Sequence, residues 1–302
     1  MDFKSKTILI YGPTASGKSD FAVKLAKKIR GEIINADSLQ VYRELKILTA
    51  RPQKKNYQKI KHHLYGFQSG KKNFSTGDWL KFVTKKILEI KDRKKIPILV
   101  GGTGLYFKAL VEGLVEIPKI PLAFRKKVRK LHRDLGQKKF YRKLIRIDPI
   151  LIDKIKSTDV QRSIRAYEVK IFTKKSILDW YKNTKSDFKN NDFYKIIIDF
   201  PRSKLIKKIN NRSVQMLEMG AILEVKKFLK LKIPKDKSIS KAIGVHEITE
   251  YLKNLAIKEE LADKISIKTR QYAKRQVTWA RGHMKSWKKI ESKRLNNFLK
   301  KI

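Results

Sequence analysis

An α/β fold built on a parallel sheet, with a helical insertion and a helical C-terminal region, is what this chain of 302 residues predicts. Three observations carry that prediction. Short runs rich in Ile, Leu and Val alternate with helical segments, the sign of a parallel sheet. The first run leads into a glycine-rich loop and then a helix. A long central stretch, entered through Pro118 and Pro121, has no strand pattern at all.

Residues 7–11 form the first strand, apolar and β-branched, and Gly12-Pro13-Thr14-Ala15-Ser16-Gly17-Lys18-Ser19 follows as a complete G-x-x-x-x-G-K-[ST] phosphate loop. Residues 20–29 then read as a helix, with Phe21, Ala22, Leu25, Ala26 and Ile29 at helical spacing. Strand, loop and helix in that order turn the pattern into a site. The glycines let the backbone curl so that several N–H groups point inward, and the helix N-terminus adds a partial positive charge. Lys18 reaches the terminal phosphate, and the Ser19 hydroxyl suits Mg²⁺. The chain is therefore expected to bind a diphosphate or triphosphate.

Further strands are expected at 32–35, 96–100 and 195–200. Between the second and third lies a linking region, 48–77. An amphipathic helix follows at 78–90, with Trp79, Leu80, Phe82, Val83, Ile87, Leu88 and Ile90 on one broad face. The insertion reads as basic helical segments at 125–135, 138–146, 151–156 and 160–172. After the fourth strand, 201–302 is almost entirely helical. The organisation expected is a first core part at 1–117, an insertion at 118–194, and a core return strand with helical C-terminal part at 195–302.

Composition narrows the setting. Hydrophobic residues make up 41%, enough for a substantial core. No apolar run approaches the ~20 residues of a membrane span, and the start lacks a secretory apolar region. There is no cysteine, hence no disulfide framework or thiolate zinc site, and five histidines form no tight cluster. His62 and His63 read as packing or hydrogen-bonding residues, since no acidic partner stands near at ligand spacing. A cytoplasmic, membrane-free protein is expected. Lys and Arg total 74 against 28 Asp and Glu, a formal charge of +46. Such a surface attracts polyanions, nucleic acid first. A lysine-favouring codon bias is the other source of such charge.

In an open parallel sheet, ligands bind beyond the carboxyl ends of the strands. The second strand ends in Asn35-Ala36-Asp37-Ser38 and the third in Gly101-Gly102-Thr103-Gly104, so both tips are expected to line one cleft with the phosphate loop. Asp37 then faces a bound phosphate compound, or serves as a helix cap or Mg²⁺ second-sphere acceptor. Thr103 either donates to a ligand or sits in a turn whose glycines serve backbone approach alone. The third strand has no acidic residue of the kind that holds Mg²⁺ in many phosphate-loop ATPases, which argues for a group transferase or small-molecule kinase over a motor.

Beyond the loop, Ala36-Asp37-Ser38-Leu39-Gln40-Val41-Tyr42, Thr49-Ala50-Arg51-Pro52, His62-His63-Leu64 and Val100-Gly101-Gly102-Thr103-Gly104-Leu105-Tyr106 occur in order. Asp159-Val160-Gln161-Arg162-Ser163-Ile164-Arg165-Ala166, Ala242-Ile243-Gly244 and Thr269-Arg270-Gln271-Tyr272-Ala273-Lys274-Arg275-Gln276-Val277-Thr278-Trp279 complete the set. From about Thr7 to Arg281 the chain closely resembles the bacterial tRNA dimethylallyltransferase (tRNA isopentenyltransferase) family. The resemblance implies a nucleotide-kinase-like phosphate-loop core whose loop, Gly12 to Ser19, holds dimethylallyl diphosphate with Mg²⁺ at Ser19. It implies transfer of the dimethylallyl group to N6 of the adenosine 3′ of the tRNA anticodon. Asp37 would be the general base, with Lys18, Thr103 and Arg212 as further catalytic residues. It also implies tRNA contacts at Asp37, Ser38, Leu39, Gln40, Thr103 and Arg125, and at Gln161, Arg162, Ser163, Ile164 and Arg165. Others would come from Lys241, Ala242, Ile243, Gly244, Val245 and His246, and from Lys274, Arg275, Gln276, Val277, Thr278, Trp279, Ala280 and Arg281. The partners implied are the tRNA anticodon stem-loop and dimethylallyl diphosphate, acted on by a monomer.

Helical spacing sets Arg270, Lys274, Val277 and Arg281 on one face and Tyr272, Gln276 and Trp279 on another. The basic face can track phosphates, or it is a solvated face over buried aromatics. Three positions depart from the family: Leu48 where a Gly is usual, Ser19 for Thr, and Lys208 where an Arg is frequent. A small-molecule or nucleoside kinase would share the loop and Asp37 but has no need of the charge. An ATP-gated RNA-binding protein would explain the charge but not the acid in the phosphate cleft.

Overall fold

The structure is a computed structural model that describes every residue except 1, 2, 4 and 183. In chain order the elements are β1 (Thr7–Tyr11), α1 (Lys18–Ile29), β2 (Gly31–Asn35), β3 (His62–His63), α2 (Thr76–Asp92), β4 (Ile96–Gly101) and α3 (Gly104–Glu112). Then come α4 (Leu122–Ile147), α5 (Val160–Thr173), α6 (Ile177–Tyr181), β5 (Phe193–Asp199), α7 (Arg202–Glu218) and α8 (Ala221–Lys230). The last are α9 (Val245–Leu252), α10 (Leu261–His283), β6 (Lys288–Glu291) and α11 (Leu295–Lys300).

Two compact units divide the chain: one comprises residues 1–111 and 188–302, the other 112–187. The first holds a six-stranded sheet in the order β3-β2-β4-β1-β5-β6, every pairing parallel. The central strands β1, β2 and β4 are buried along their whole length. That is why their Ile, Leu and Val residues run consecutively rather than alternate, although β2 also buries Glu32 and Asn35. One face of the sheet packs Leu9, Ile34 and Leu99 with Trp79 and Phe107. The other packs Ile8, Ile33 and Ile98 with Phe21 and Leu25 of α1. A capping box starts α2: the Asp78 N–H donates to Ser75 Oγ (3.1 Å) and the Ser75 N–H to Asp78 Oδ2 (2.9 Å).

The second unit is helical around Phe140, Leu144, Ala166 and Val169. Its α4 is broken by Gly136, at φ 68° and ψ 164°, between the two helical segments the sequence predicts. The sequence placed its breaks at 118 and 194 rather than 112 and 187.

The parallel α/β core and the helical C-terminal region are as predicted, with four differences in detail. Strand β5 starts at Phe193 and ends before Phe200, which precedes Pro201. The edge strands β3 and β6 are not predicted: β3 is two histidines, and in β6 only Ile290 is buried. Residues 151–156 are not a helix; a single 3-10 turn at Pro149–Leu151 is followed by turns. On α2 the buried stripe is narrower than predicted, because Phe82 and Leu88 are exposed.

Candidate active site at the strand ends

Register brings three strand tips together. Tyr11 pairs with Gly101, and Asn35 with Val100. The Gly12 N–H donates to the Gly101 carbonyl (3.4 Å), and the Ala36 N–H to the Val100 carbonyl (2.9 Å). The turn after β4 lies against β2: a Cβ on Gly101 would fall 2.0 Å from the Ala36 carbonyl oxygen. Only glycine permits that approach. Beyond it, the Thr103 N–H donates to the Ala36 carbonyl (3.3 Å).

The phosphate loop curls between β1 and α1. Gly17 caps the helix at φ 80°, and Ala15 is also left-handed at φ 65°. Lys18 Nζ donates to the Pro13 carbonyl (3.3 Å). Burial drives the Lys18 pKa down to about 8; the Asp37 carboxylate opposes that fall and the Arg212 guanidinium adds to it. Arg212, on α7, donates to Thr14 Oγ1 (3.4 Å). Its own pKa is lowered by burial, against the pull of Asp20.

Asp37 is presented by a tight turn. The Asn35 side chain, fully buried, accepts from the Asp37 N–H (2.9 Å) and donates to the carbonyls of Asp37 (3.0 Å) and Leu64 (3.1 Å). Asp37 Oδ1 accepts from the N–H groups of Leu39 (2.9 Å) and Gln40 (3.4 Å). Oδ2 therefore remains for a ligand. Thr103 steadies the same turn: its Oγ1 accepts from the Ser38 N–H (3.0 Å), and its hydroxyl donates to Ser38 Oγ (3.3 Å).

A cleft of about 930 Å³ joins the phosphate loop, Asp37 and Arg212; Thr103 is not among the residues that line it. Thr14, Lys18, Ser19, Asp37 and Arg212 line its polar side, and Leu48, Met216, Met219, Ile243 and Ile265 give it apolar walls. The 46–48 turn on that wall is held by Glu224 of α8, whose carboxylate accepts from the N–H groups of Lys46 (2.7 Å), Ile47 (2.9 Å) and Leu48 (3.0 Å). Leu48, the departure from glycine, is buried against Gly244: a Cβ on Gly244, at φ 96°, would come within 2.6 Å of its Cδ2. Lys208 turns to the Phe200 ring, 4.9 Å from its centroid.

The residues implied for tRNA divide by exposure. Lys241, His246, Lys274, Arg275, Thr278 and Arg281 are exposed in the first unit, as are Gln161 and Arg162 in the second. Ala242, Val245, Gln276 and Ala280 are buried, and so is Ser163, whose hydroxyl donates to the Asp159 carbonyl (2.7 Å). Arg125 and Arg165 share a buried carboxylate, Glu168, at 3.2 Å and 3.5 Å. The expectation that His63 has no acidic partner is corrected. Sheet pairing sets His63 Nε2 2.7 Å from buried Glu32, which Arg93 also meets at 2.7 Å.

The IPP transferase family profile matches residues 40–283. This chain belongs to the IPP transferase family. It is 60% identical over 302 residues to the tRNA dimethylallyltransferase of Pelagibacter ubique strain HTCC1062, covering all of this chain and 96% of that one. The full-length tRNA isopentenylpyrophosphate transferase of Bacillus halodurans superposes with a TM-score of 0.70 at 32% identity, over 98% of this chain and 95% of that one. A eukaryotic dimethylallyltransferase acting on tRNA superposes with a TM-score of 0.82 at 27% identity, over 95% of this chain and 74% of the other. Among IPP transferases the phosphate loop does not signify a kinase, and the kinase reading is not favoured.

Sequence reasoning missed Asn35, Glu168 and Glu224 as organisers, and gave Gln276 a different part. Asn35 carried a usable signal, two residues before Asp37 in an Asx-turn pattern. Glu168 carried one too, three residues after Arg165 on one helix, whereas its pairing with Arg125 and the contacts of Glu224 and Gln276 span far more of the chain and leave no local trace.

Proposed function

We propose that this IPP transferase moves a dimethylallyl group from dimethylallyl diphosphate to N6 of the adenosine 3′ of the anticodon in tRNA, releasing pyrophosphate. The observation that carries this reading is one cleft lined by Thr14, Lys18 and Ser19 of the phosphate loop, by Arg212 and Asp37, and by the apolar side chains of Leu48, Met216, Met219, Ile243 and Ile265. The diphosphate lies against Lys18 and the loop amides, and the alkyl tail fits the apolar wall.

Catalysis then follows from residue chemistry. The allylic C–O bond breaks as N6 donates its lone pair to C1, and the leaving oxygen takes the bonding electrons. Lys18, Arg212 and the loop amides neutralise the charge that develops on the diphosphate. Adenine N6 is a weak nucleophile whose proton must leave as the bond forms. Asp37 Oδ2 accepts it, while Oδ1 stays locked by two backbone N–H groups. Apolar walls keep water from the allylic centre. Thr103, bonded to Ser38, orients the turn that presents the base.

The donor set suits Mg²⁺ brought in with the diphosphate. Among the described residues no group of three His, Cys, Asp or Glu could hold a metal. A single hydroxyl, Ser19, beside phosphate oxygens matches the way Mg²⁺ binds through substrate and water. When bound it supplies further charge neutralisation to the leaving diphosphate. No described helix is long and apolar enough to cross a membrane.

The test is the mass of tRNA nucleosides after incubation with dimethylallyl diphosphate, Mg²⁺ and no ATP. A dimethylallyl-adenosine product with free pyrophosphate supports the reading; product that appears only with ATP, or a phosphorylated small molecule, refutes it.

A further inference from the structure

Gln276 lies in the 274–281 segment that the resemblance assigns to tRNA, yet it is 5% exposed and its amide is committed elsewhere. Its Oε1 accepts from the Thr14 N–H (2.8 Å), and its Nε2 donates to the Gly102 carbonyl (2.9 Å). Its own carbonyl accepts from the Tyr11 hydroxyl (2.8 Å). One residue of α10 thus ties down the phosphate loop and the β4 turn together. The fit is close, for a Cβ on Gly102 would fall 2.1 Å from Gln276 Nε2. Gly102 is therefore the residue that admits the amide.

Thr14 is held at both ends, its N–H by Gln276 and its hydroxyl by Arg212. The next residue, Ala15, sits in a left-handed conformation that costs an alanine free energy and persists only where neighbours enforce it. The Thr14 N–H is spent on Gln276, so this bond sets the orientation of the loop instead of adding a donor to an anion. We propose that Gln276 is a positioning residue for the phosphate loop: it acts through Thr14 to hold the loop in its anion-binding shape and does not contact tRNA. The inference rests on the loop being the diphosphate site.

Gln276→Met keeps the volume and removes both side-chain bonds, leaving a buried N–H and a buried carbonyl to find new partners at the expense of loop geometry. Calorimetric titration with inorganic pyrophosphate and Mg²⁺ should show binding weakened about tenfold, with the KM for dimethylallyl diphosphate rising in step. The KM for tRNA should stay within about twofold. Gly102→Ala, which expels the amide without altering residue 276, should reproduce that split. The wild-type protein supplies a readout independent of either variant's folding. The Gln276 side-chain amide signals of ¹⁵N-glutamine-labelled protein should move on addition of pyrophosphate and hold still on addition of an anticodon stem-loop. A raised tRNA KM with unchanged pyrophosphate affinity, or amide signals that answer to the stem-loop alone, overturns the inference while leaving the diphosphate site intact. If wild-type protein fails to bind pyrophosphate at all, the functional reading itself falls and this inference with it.

Discussion

Diphosphate binding should take up a proton at alkaline pH, and Lys18 sets by how much. Burial lowers its pKa from 10.5 to about 8 even with Asp37 beside it. Below pH 8 the side chain is charged in the empty site, and above pH 8 it is increasingly neutral. A diphosphate seated against Nζ favours the ammonium and pulls the proton back on. Titration about a midpoint of 8 gives uptake of about 0.1 proton per diphosphate bound at pH 7, about 0.5 at pH 8 and about 0.9 at pH 9. Affinity should accordingly fall about tenfold between pH 7 and pH 9, a range over which the ligand's own last ionisation, near pH 6, changes by only about 0.1 proton. Calorimetry of dimethylallyl diphosphate binding in two buffers of different ionisation enthalpy counts these protons. Lys18→Arg supplies the control, because a guanidinium stays charged throughout. Uptake near zero at pH 9 in the wild type, or equal uptake in Lys18→Arg, would refute the assignment of the shifted charge to Lys18.

Asp37→Asn should cut single-turnover alkylation by ~10²-fold or more while tRNA affinity changes little, because an amide cannot take the N6 proton; near-wild-type chemistry would remove Asp37 as base. The same change withdraws the charge that supports the Lys18 ammonium, so the midpoint of proton uptake should move to lower pH. Glu168→Gln separates charge from geometry. Net charge alone would tighten tRNA binding, whereas loss of the anchor shared by Arg125 and Arg165 should weaken it several-fold at fixed salt in a fluorescence titration. Neutralising Arg270, Lys274 and Arg281 together should flatten the plot of log K against log salt by roughly 0.7 to 0.9 for each phosphate no longer engaged, and an unchanged slope would mean a merely solvated face.

What could be read in the sequence was whatever is encoded by neighbours along the chain. The loop, the central strands and the helix read at 78–90 are local patterns: a glycine spacing, apolar runs, an amphipathic face. That Asp37 shares a cleft with the loop followed from the rule for parallel sheets, and register delivers it, while Thr103 meets Ser38 beside Asp37. Illegible were bonds whose partners lie far apart in sequence. Glu224 reaches back to the 46–48 turn, and Gln276 to Thr14 and Gly102. Helical spacing assigned Gln276 to a face with Tyr272 and Trp279 but could not say that this face meets the loop. The edge strands were missed because strand signals come from burial on both faces, which β6 lacks.

A phosphate loop by itself favours neither phosphoryl nor alkyl transfer, and the rest of the cleft makes the difference. In phosphoryl transfer the nucleophile must reach phosphorus, and charge spreads over the transferred oxygens. In alkyl transfer the whole diphosphate leaves, so the cationic groups serve the departing end and the nucleophile needs a base at the carbon end. On the function proposed here, Lys18 and Arg212 would meet the first requirement, and Asp37, a cleft residue whose Oδ1 is bound by the Leu39 and Gln40 N–H groups, would meet the second. The side chains of Leu48, Met216, Met219, Ile243 and Ile265 in the cleft lining offer an alkyl chain dispersion contacts. ATP should compete only weakly for the loop, through its phosphates, and a competition titration against dimethylallyl diphosphate checks this; ATP binding as tightly as the allylic donor would refute it.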